Sequence, residues 1–338
     1  MNKSTKLNIK LDKNKYLFHA GTNHMDFRLT MITGVCRSGK TLLGRLLGSM
    51  KNVEYDDEPW IPMMLPIMQN QGLISTTIAK DLLRAFSEEI FNDIILLRRA
   101  NFRPKDKSTI WNLKDAVEIF ERLIILHTRD DVRNYVKEKN PMLLYVLPEI
   151  MPALSFLTKT FPHCKIIHII RNGLDVAFSV AEKQWFSNNS LSKPRNNYLV
   201  KTYYNKTHSI KYYLPWWVKN GEEEKFLELS DFARGLYYWR RIHDISEKQR
   251  KKFKLNHSDK YKEVKFEDII TDTMEVINDL ANFLDAAITP QTKLIFNTID
   301  TKILENKPMY PIAEIPIDEL KNTKKLLHKF GYCLKDFN

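Results

Sequence analysis

Gly34, Gly39, Lys40 and Thr41 stand in the spacing G-x4-G-K-[ST], with Arg37 and Ser38 inside the stretch. Between a strand and a helix, such a loop binds phosphate. Its glycines allow a tight path, and its N–H groups and the helix N-terminus point at an anion. Arg37 and Lys40 add fixed positive charge and Thr41 a hydroxyl. A second basic loop opens at Arg171, and Ser179 follows eight positions later. An arginine there grips phosphate through two parallel hydrogen bonds. Two such loops suit a ligand with phosphates at two separated points. Asp56, Asp57 and Glu58, just before Pro59, supply carboxylates for proton transfer.

The elements that must position these residues follow from periodicity. Residues 29–32 are apolar and read as a short buried strand, and Leu42, Leu43, Leu46 and Leu47 recur at helical spacing. Residues 52–55 read as a second strand that stops at the acidic residues and Pro59. Residues 75–100 and 114–128 carry helical spacing and form a helical insertion over 60–130. Residues 135–141 read as a strand closing on a Pro-terminated turn, and 143–160 as a helix. The strand at 165–170 is a continuous apolar run that Arg171 follows at once, with a helix from Leu174. Residues 186–222 are rich in Asn, Ser, Lys and Tyr and read as a long loop over a site. A helix over 223–252, a strand over 261–266 and helices near 272–285 and 316–330 complete the chain. Strands alternating with helices give an α/β, three-layer parallel sheet flanked by helices, in one domain over 1–338. Residues 1–27 are peripheral, with Tyr16-Leu17-Phe18 as an edge.

The bulk numbers set bounds. The 338 residues carry a net charge of +12, which favours a polyanionic ligand. That charge is scattered rather than gathered with aromatics in one run, so nucleic acid is not expected. Three cysteines, Cys36, Cys164 and Cys333, form no pattern and point to a reducing compartment. No apolar run approaches a membrane span, and the first residues lack the apolar core of a signal peptide. The expectation is a soluble cytoplasmic protein.

The two basic loops resemble the sulfotransferase family, in particular its bacterial and carbohydrate-type branch. Residues 36–43, Cys-Arg-Ser-Gly-Lys-Thr-Leu-Leu, are similar to the family's loop for the 5′-phosphosulfate of PAPS (3′-phosphoadenosine 5′-phosphosulfate). Residues 171–179, Arg-Asn-Gly-Leu-Asp-Val-Ala-Phe-Ser, are similar to its 3′-phosphate segment. Residues 53–59 resemble its strand ending in Glu-Pro, Lys139-Asn140-Pro141 its K-x-P turn, and residues 264–268 its late strand. The resemblance implies that Arg37, Ser38, Gly39, Lys40, Thr41 and Leu42 hold the 5′ side of the donor and Arg171 and Ser179 the 3′-phosphate. It implies transfer of a sulfuryl group from PAPS to a hydroxyl of a carbohydrate, lipid or small molecule, releasing PAP (adenosine 3′,5′-bisphosphate), with no metal required. Glu58 is the base candidate, Asp56 and Asp57 its alternatives, Lys40 the cation at the leaving group, and Lys139 a contact to the sulfonate.

Three departures from the family pattern are visible. Lys40 stands where the family commonly has Thr, no histidine occupies the K-x-P stretch, and the late R-K-G cofactor segment is missing. The alternatives are a kinase or ATPase using Lys40 and magnesium, and a nucleotide-binding regulatory protein without chemistry. A triphosphatase usually has an apolar strand ending in Asp to hold magnesium. The most apolar strand here ends in Arg171. His168 reads as core, His127 and His163 lack metal-ligand spacing, and Trp239 reads as core. Trp216 and Trp217 suit either loop anchoring or stacking on an acceptor.

Overall fold

The computed structural model describes residues 25–332 except 107, 196, 206–208 and 306–307. The proposed edge at Tyr16-Leu17-Phe18 lies outside them. The elements alternate as the periodicity demands. Strand β1 (Arg28–Thr33) leads through the glycine loop into α1 (Lys40–Gly48) and then β2 (Val53–Asp57). Helices α2 (Trp60–Asn70), α3 (Thr76–Ile95), α4 (Ala116–Ile125) and α5 (Arg129–Lys139) fill the connection to β3 (Met142–Val146). Then come α6 (Leu154–Thr160), β4 (Lys165–Ile170), α7 (Gly173–Glu182) and α8 (Asn188–Leu191). Strands β5 (Val200–Asn205) and β6 (Ile210–Pro215) precede α9 (Glu223–Glu228), α10 (Asp231–Asn256) and β7 (Tyr261–Lys265). The chain closes with α11 (Phe266–Thr271), α12 (Thr273–Leu284), α13 (Pro290–Phe296) and α14 (Ile317–Lys329).

Five parallel strands form the central sheet in the order β2-β3-β1-β4-β7. The strands are buried on both sides, which is why β3 and β4 read as unbroken apolar runs. On one face Leu43, Leu46 and Leu47 of α1 pack with Ile277, Leu280 and Leu284 of α12. On the other, Leu83 and Phe91 of α3, Val132 and Val136 of α5 and Phe253 of α10 cover the sheet. This is the expected α/β arrangement of a parallel sheet flanked by helices. The connection after β1 runs to β2 on one side of it, whereas the chain leaving β4 runs to β7 on the other side. The crevice at the carboxyl ends of β1 and β4 is therefore the place where such a sheet takes a ligand.

Three local expectations are corrected. Residues 135–141 are not a strand, because α5 runs to Lys139. A capping box of Thr128 and Asp131 starts that helix, Val132 and Val136 bury on one face, and Asn140 in the left-handed region stops it before Pro141. Tyr135 and Val136 favour a strand intrinsically, but the cap and the buried face prevail. Residues 143–160 are not one helix. A short apolar run is ambiguous between strand and helix, and Met142–Val146 pairs with both β1 and β2. Residues 186–222 are not an unstructured loop but hold α8 and the antiparallel pair β5–β6. Tyr203 sits opposite Tyr212 in that pair, and aromatic residues at facing positions favour antiparallel pairing.

Candidate active site

The glycine loop runs from the end of β1 to the start of α1. Gly34 has φ 149° and lies against the Ile169 carbonyl of β4, where a Cβ would come within 2.4 Å. Gly39 has φ 90° and caps α1. A Cβ there would meet the Phe266 ring at 2.2 Å. Inside the loop, Ser38 Oγ donates to the Val35 carbonyl at 2.8 Å, and buried Lys40 Nζ donates to the same oxygen at 2.5 Å. Thr41, at the first turn of α1, is exposed, and Leu42 beside it is half-buried.

Arg37 and the second basic loop meet here. Arg37 Nε donates to Ser179 Oγ at 2.9 Å, joining the glycine loop to α7. Arg171 Nη1 donates to the Arg37 carbonyl at 2.9 Å, and its guanidinium lies 4.3 Å above the centre of the Phe266 ring. Burial lowers the Arg171 pKa from its usual value, with Asp175 and Glu267 opposing the shift. Arg171 Nε is buried without a partner among the described residues. Asn172 N-caps α7 by accepting from the Leu174 N–H, and its own N–H donates to Glu267 Oε1. The tertiary structure thus gathers Arg37, Ser38, Gly39, Lys40, Thr41, Leu42, Arg171 and Ser179 at one sheet edge.

The carboxylates divide by partner. Glu54 is buried and bidentate with Arg122, a structural pair. Asp56 is engaged by Arg99 at 3.1 Å, and burial raises its pKa against that pull. Asp57 is raised by burial, while the Tyr55 hydroxyl, Lys40 and the Thr41 hydroxyl draw it down. Glu58 donates its N–H to the Val146 carbonyl at 3.1 Å, which pins it to the end of β3. Its surface is exposed, yet desolvation by the surrounding protein raises its pKa; Lys40 opposes the shift, and Asp57 and Glu149 add to it.

Lys139 is not brought to this site. It ends α5 and forms an ion pair with Glu138 at 2.7 Å, and its carbonyl accepts from Asn52 Nδ2 just before β2. Residues 139–141 precede β3, so they lie at the amino edge of the sheet, opposite the glycine loop. At the carboxyl end of β3 the chain reads Leu147-Pro148-Glu149.

Glu149 is the residue that sequence reasoning missed. It is 3% exposed, and its N–H donates to the Gly34 carbonyl at 3.0 Å. Its Oε1 accepts from the Tyr238 hydroxyl at 2.7 Å and its Oε2 from the Tyr198 hydroxyl at 2.6 Å. The signal is weak in sequence: an apolar run closes on Pro148-Glu149, the reverse of the Glu-Pro order that marks Glu58-Pro59. Arg37, Glu58 and Glu149 all have positive φ, at 64°, 52° and 64°. Side chains bearing a Cβ rarely adopt that region, and such residues cluster where surrounding structure enforces a functional geometry.

A cavity of about 500 Å³ opens beside the loop, lined by Cys36, Glu58, Met63, Glu149, Trp185 and Tyr238 among others. Phe186, Tyr198 and Arg195 also contribute to its wall. Burial pushes the Cys36 thiol up to about 12 and holds both tyrosine hydroxyls protonated. Trp217 lies beneath this wall at 1% exposure, against Phe186 and Tyr238, so it anchors the fold. Trp239 is buried and donates to the Arg171 carbonyl, and His168 is core.

Two basic loops thus meet at the β1 and β4 ends of a parallel sheet, beside a mixed polar and aromatic cavity. The sequence profile of the sulfotransferase family matches residues 30–230, and this chain belongs to that family. A search of curated protein sequences finds no significant match. Among solved structures, the sulfotransferase domain of the Synechococcus PCC 7002 olefin synthase is similar at 14% identity and TM-score 0.47. The match covers 94% of this chain and 100% of that one. Sulfotransferase STF1 from Mycobacterium tuberculosis H37Rv aligns at 13% identity and TM-score 0.45, covering 90% of this chain and 78% of that one. A sulfotransferase from Alicyclobacillus acidocaldarius gives 13% and 0.41, with 92% and 99% covered. Among the described residues no helix is long and apolar enough to cross a membrane.

Proposed function

We propose that this sulfotransferase uses PAPS as donor and moves its sulfuryl group to a hydroxyl of a small-molecule, lipid or carbohydrate acceptor seated in the cavity beside the loop. The observation that carries this reading is the convergence of Arg37, Ser179 and Arg171, with Arg171 Nε buried and unpartnered. A buried guanidinium nitrogen without an acceptor is costly unless a ligand completes it. A 3′-phosphate on Arg171 and Ser179 would do so, and the 5′ side would lie along the loop at Arg37, Ser38, Gly39, Lys40, Thr41 and Leu42.

The protein's own groups then have defined tasks. Loop N–H groups and the cations Arg37 and Lys40 stabilise negative charge on the departing phosphate. Glu58 stands at the cavity mouth with a raised pKa, so it is a stronger base than an ordinary carboxylate and suits removal of the acceptor's proton. Aromatic walls position the acceptor and exclude water around the transfer. Asp56 is held by Arg99, which leaves Asp57 as the alternative base.

Magnesium-dependent ATP chemistry is the second reading, favoured by one observation: Lys40 and the Thr41 hydroxyl both act on Asp57. Calorimetric titration without magnesium separates the two. Adenosine 3′,5′-bisphosphate should bind, and Arg171→Ala should weaken it at least tenfold, the loss of a charge-assisted phosphate contact. Binding of ATP alone, and only with magnesium, would overturn the sulfotransfer reading.

A further inference from the structure

The glycine loop is tethered from an unexpected side. Loop N–H groups in such a site ordinarily face the anion. The Cys36 N–H instead donates to the Tyr238 hydroxyl of α10, 202 residues away in sequence, at 2.6 Å. That hydroxyl in turn donates a hydrogen bond to Glu149 Oε1 at 2.7 Å. Glu149 is itself fixed: its N–H reaches Gly34 at the other end of the same loop, and its second oxygen takes the Tyr198 hydroxyl. Trp217 Nε1 in turn donates to Tyr198 at 2.9 Å. One buried carboxylate, with a phenol on each oxygen, thus touches the loop at Gly34 through its N–H and at Cys36 twice, directly from the Cys36 thiol at 3.6 Å and through Tyr238, which holds the Cys36 N–H.

We infer that Tyr238, oriented by Glu149, is a positioning residue for the glycine loop, holding it from the wall of the acceptor cavity. The next residue, Arg37, sits at φ 64° and aims its guanidinium at Ser179. A tether at Cys36 fixes where that strained residue begins. Cys36, Glu149 and Tyr238 all line the cavity, so the same atoms set its shape and the loop's path. The two tyrosines differ in what they reach. Tyr198 hydrogen-bonds to Glu149 and Trp217, whereas Tyr238 of the pair hydrogen-bonds to the loop backbone.

That difference makes the test. Tyr238→Phe and Tyr198→Phe each remove one hydroxyl from the same carboxylate. In the free protein, hydrogen exchange of the Cys36 amide should quicken at least tenfold in Tyr238→Phe and stay within about twofold in Tyr198→Phe. Affinity for adenosine 3′,5′-bisphosphate, which rests on the PAPS reading, should fall about tenfold in Tyr238→Phe only. Glu149→Gln removes the charge that orients Tyr238 and should raise Cys36 exchange several-fold. It decides the matter if Tyr238→Phe does not fold. Unchanged Cys36 exchange in the folded variants, or equal effects from both phenylalanine substitutions, would overturn the proposal. Failure of the wild-type protein to bind the bisphosphate would sink the PAPS reading alone, because the exchange measurement needs no ligand.

Discussion

At the scale of single residues, the carboxylates show how burial and partners assign roles to one residue type. Glu54 neutralises Arg122 inside the fold, Asp56 is taken by Arg99, and Glu149 is enclosed by two phenols. Glu58 remains at the cavity with Lys40, Asp57 and Glu149 acting on it. General bases of this kind contribute roughly 10²–10⁴-fold. Glu58→Gln should therefore lower the transfer rate by at least about 10²-fold while leaving bisphosphate affinity within about twofold. With Glu58 as the proposed base, its raised pKa would set the acid limb, so wild-type activity should rise with pH through a midpoint above that of an ordinary carboxylate. The glutamine variant should lose that limb. Lys139→Ala is the matched control: at the far sheet edge, it should leave transfer unchanged in the same steady-state assay. Equal damage from both substitutions would show that Glu58 is not the base.

At the scale of elements, the site is made by where strands end. β1 and β4 are neighbours, so the loops after Thr33 and Ile170 face each other across one crevice. Phe266, at the start of α11, fills the space behind them, with Gly39 on one side and the Arg171 guanidinium 4.3 Å from its ring centre. Gly39→Ala would put a Cβ into that ring at a φ of 90°. A strained backbone position of this type costs about 1–3 kcal/mol. The urea midpoint should fall accordingly, and bisphosphate affinity should drop with it, because a displaced Phe266 carries Arg171 away. Retained affinity in a folded Gly39→Ala protein would show that Phe266 does not position Arg171. The small residues of α7 and α10 do similar work: a Cβ at Gly235 would come within 2.7 Å of Ala177 Cα, and one at Gly173 within 2.6 Å of Trp239.

At the scale of the whole molecule, acid should unfold the protein earlier than its cationic surface alone would. His168 and His243 are buried beside each other, 5.9 Å between ring centres, and burial lowers both pKa values from 6.5. His168 shares its Nδ1 with Tyr261, and His243 packs on Phe330 and Trp239. Nearby, Glu263 is bound by Arg250 and Lys254 and held well below the usual carboxylate range. The signs agree. As pH falls below about 6.5 the unfolded chain protonates its histidines and the folded one does not, so stability drops. The slope is at most about 1.4 kcal/mol per pH unit for each histidine. Glu263 adds to the loss below its ordinary pKa, while Asp56, Asp57 and Glu58, with raised values, oppose it there. Urea midpoints at pH 7.5 and 5.5 should show the decline, and His243→Phe should flatten it. An equal decline in that variant would place the acid sensitivity elsewhere.

What the sequence determined by itself was local and carried by strong chemistry. Gly34-to-Thr41 spacing, the apolar run ending in Arg171, and Ser179 eight residues on were legible because glycine loops and buried parallel strands restrict residue choice at every position. The α/β alternation was legible for the same reason. What only the tertiary structure decided was which strand end faces the site. Residues 135–147 hold apolar stretches too short to tell helix from strand, so Lys139 was read at the wrong edge and Glu149 was passed over. Strand pairing with β1 and β2 settled β3, and a shift of a few residues exchanged one sheet edge for the other. The cavity wall was equally hidden. Tyr198 and Tyr238 lie 49 and 89 residues from Glu149, and a buried hydrogen bond between distant residues leaves no mark in either one's neighbourhood. Folding alone, by burying the carboxylate, made those phenols its necessary partners.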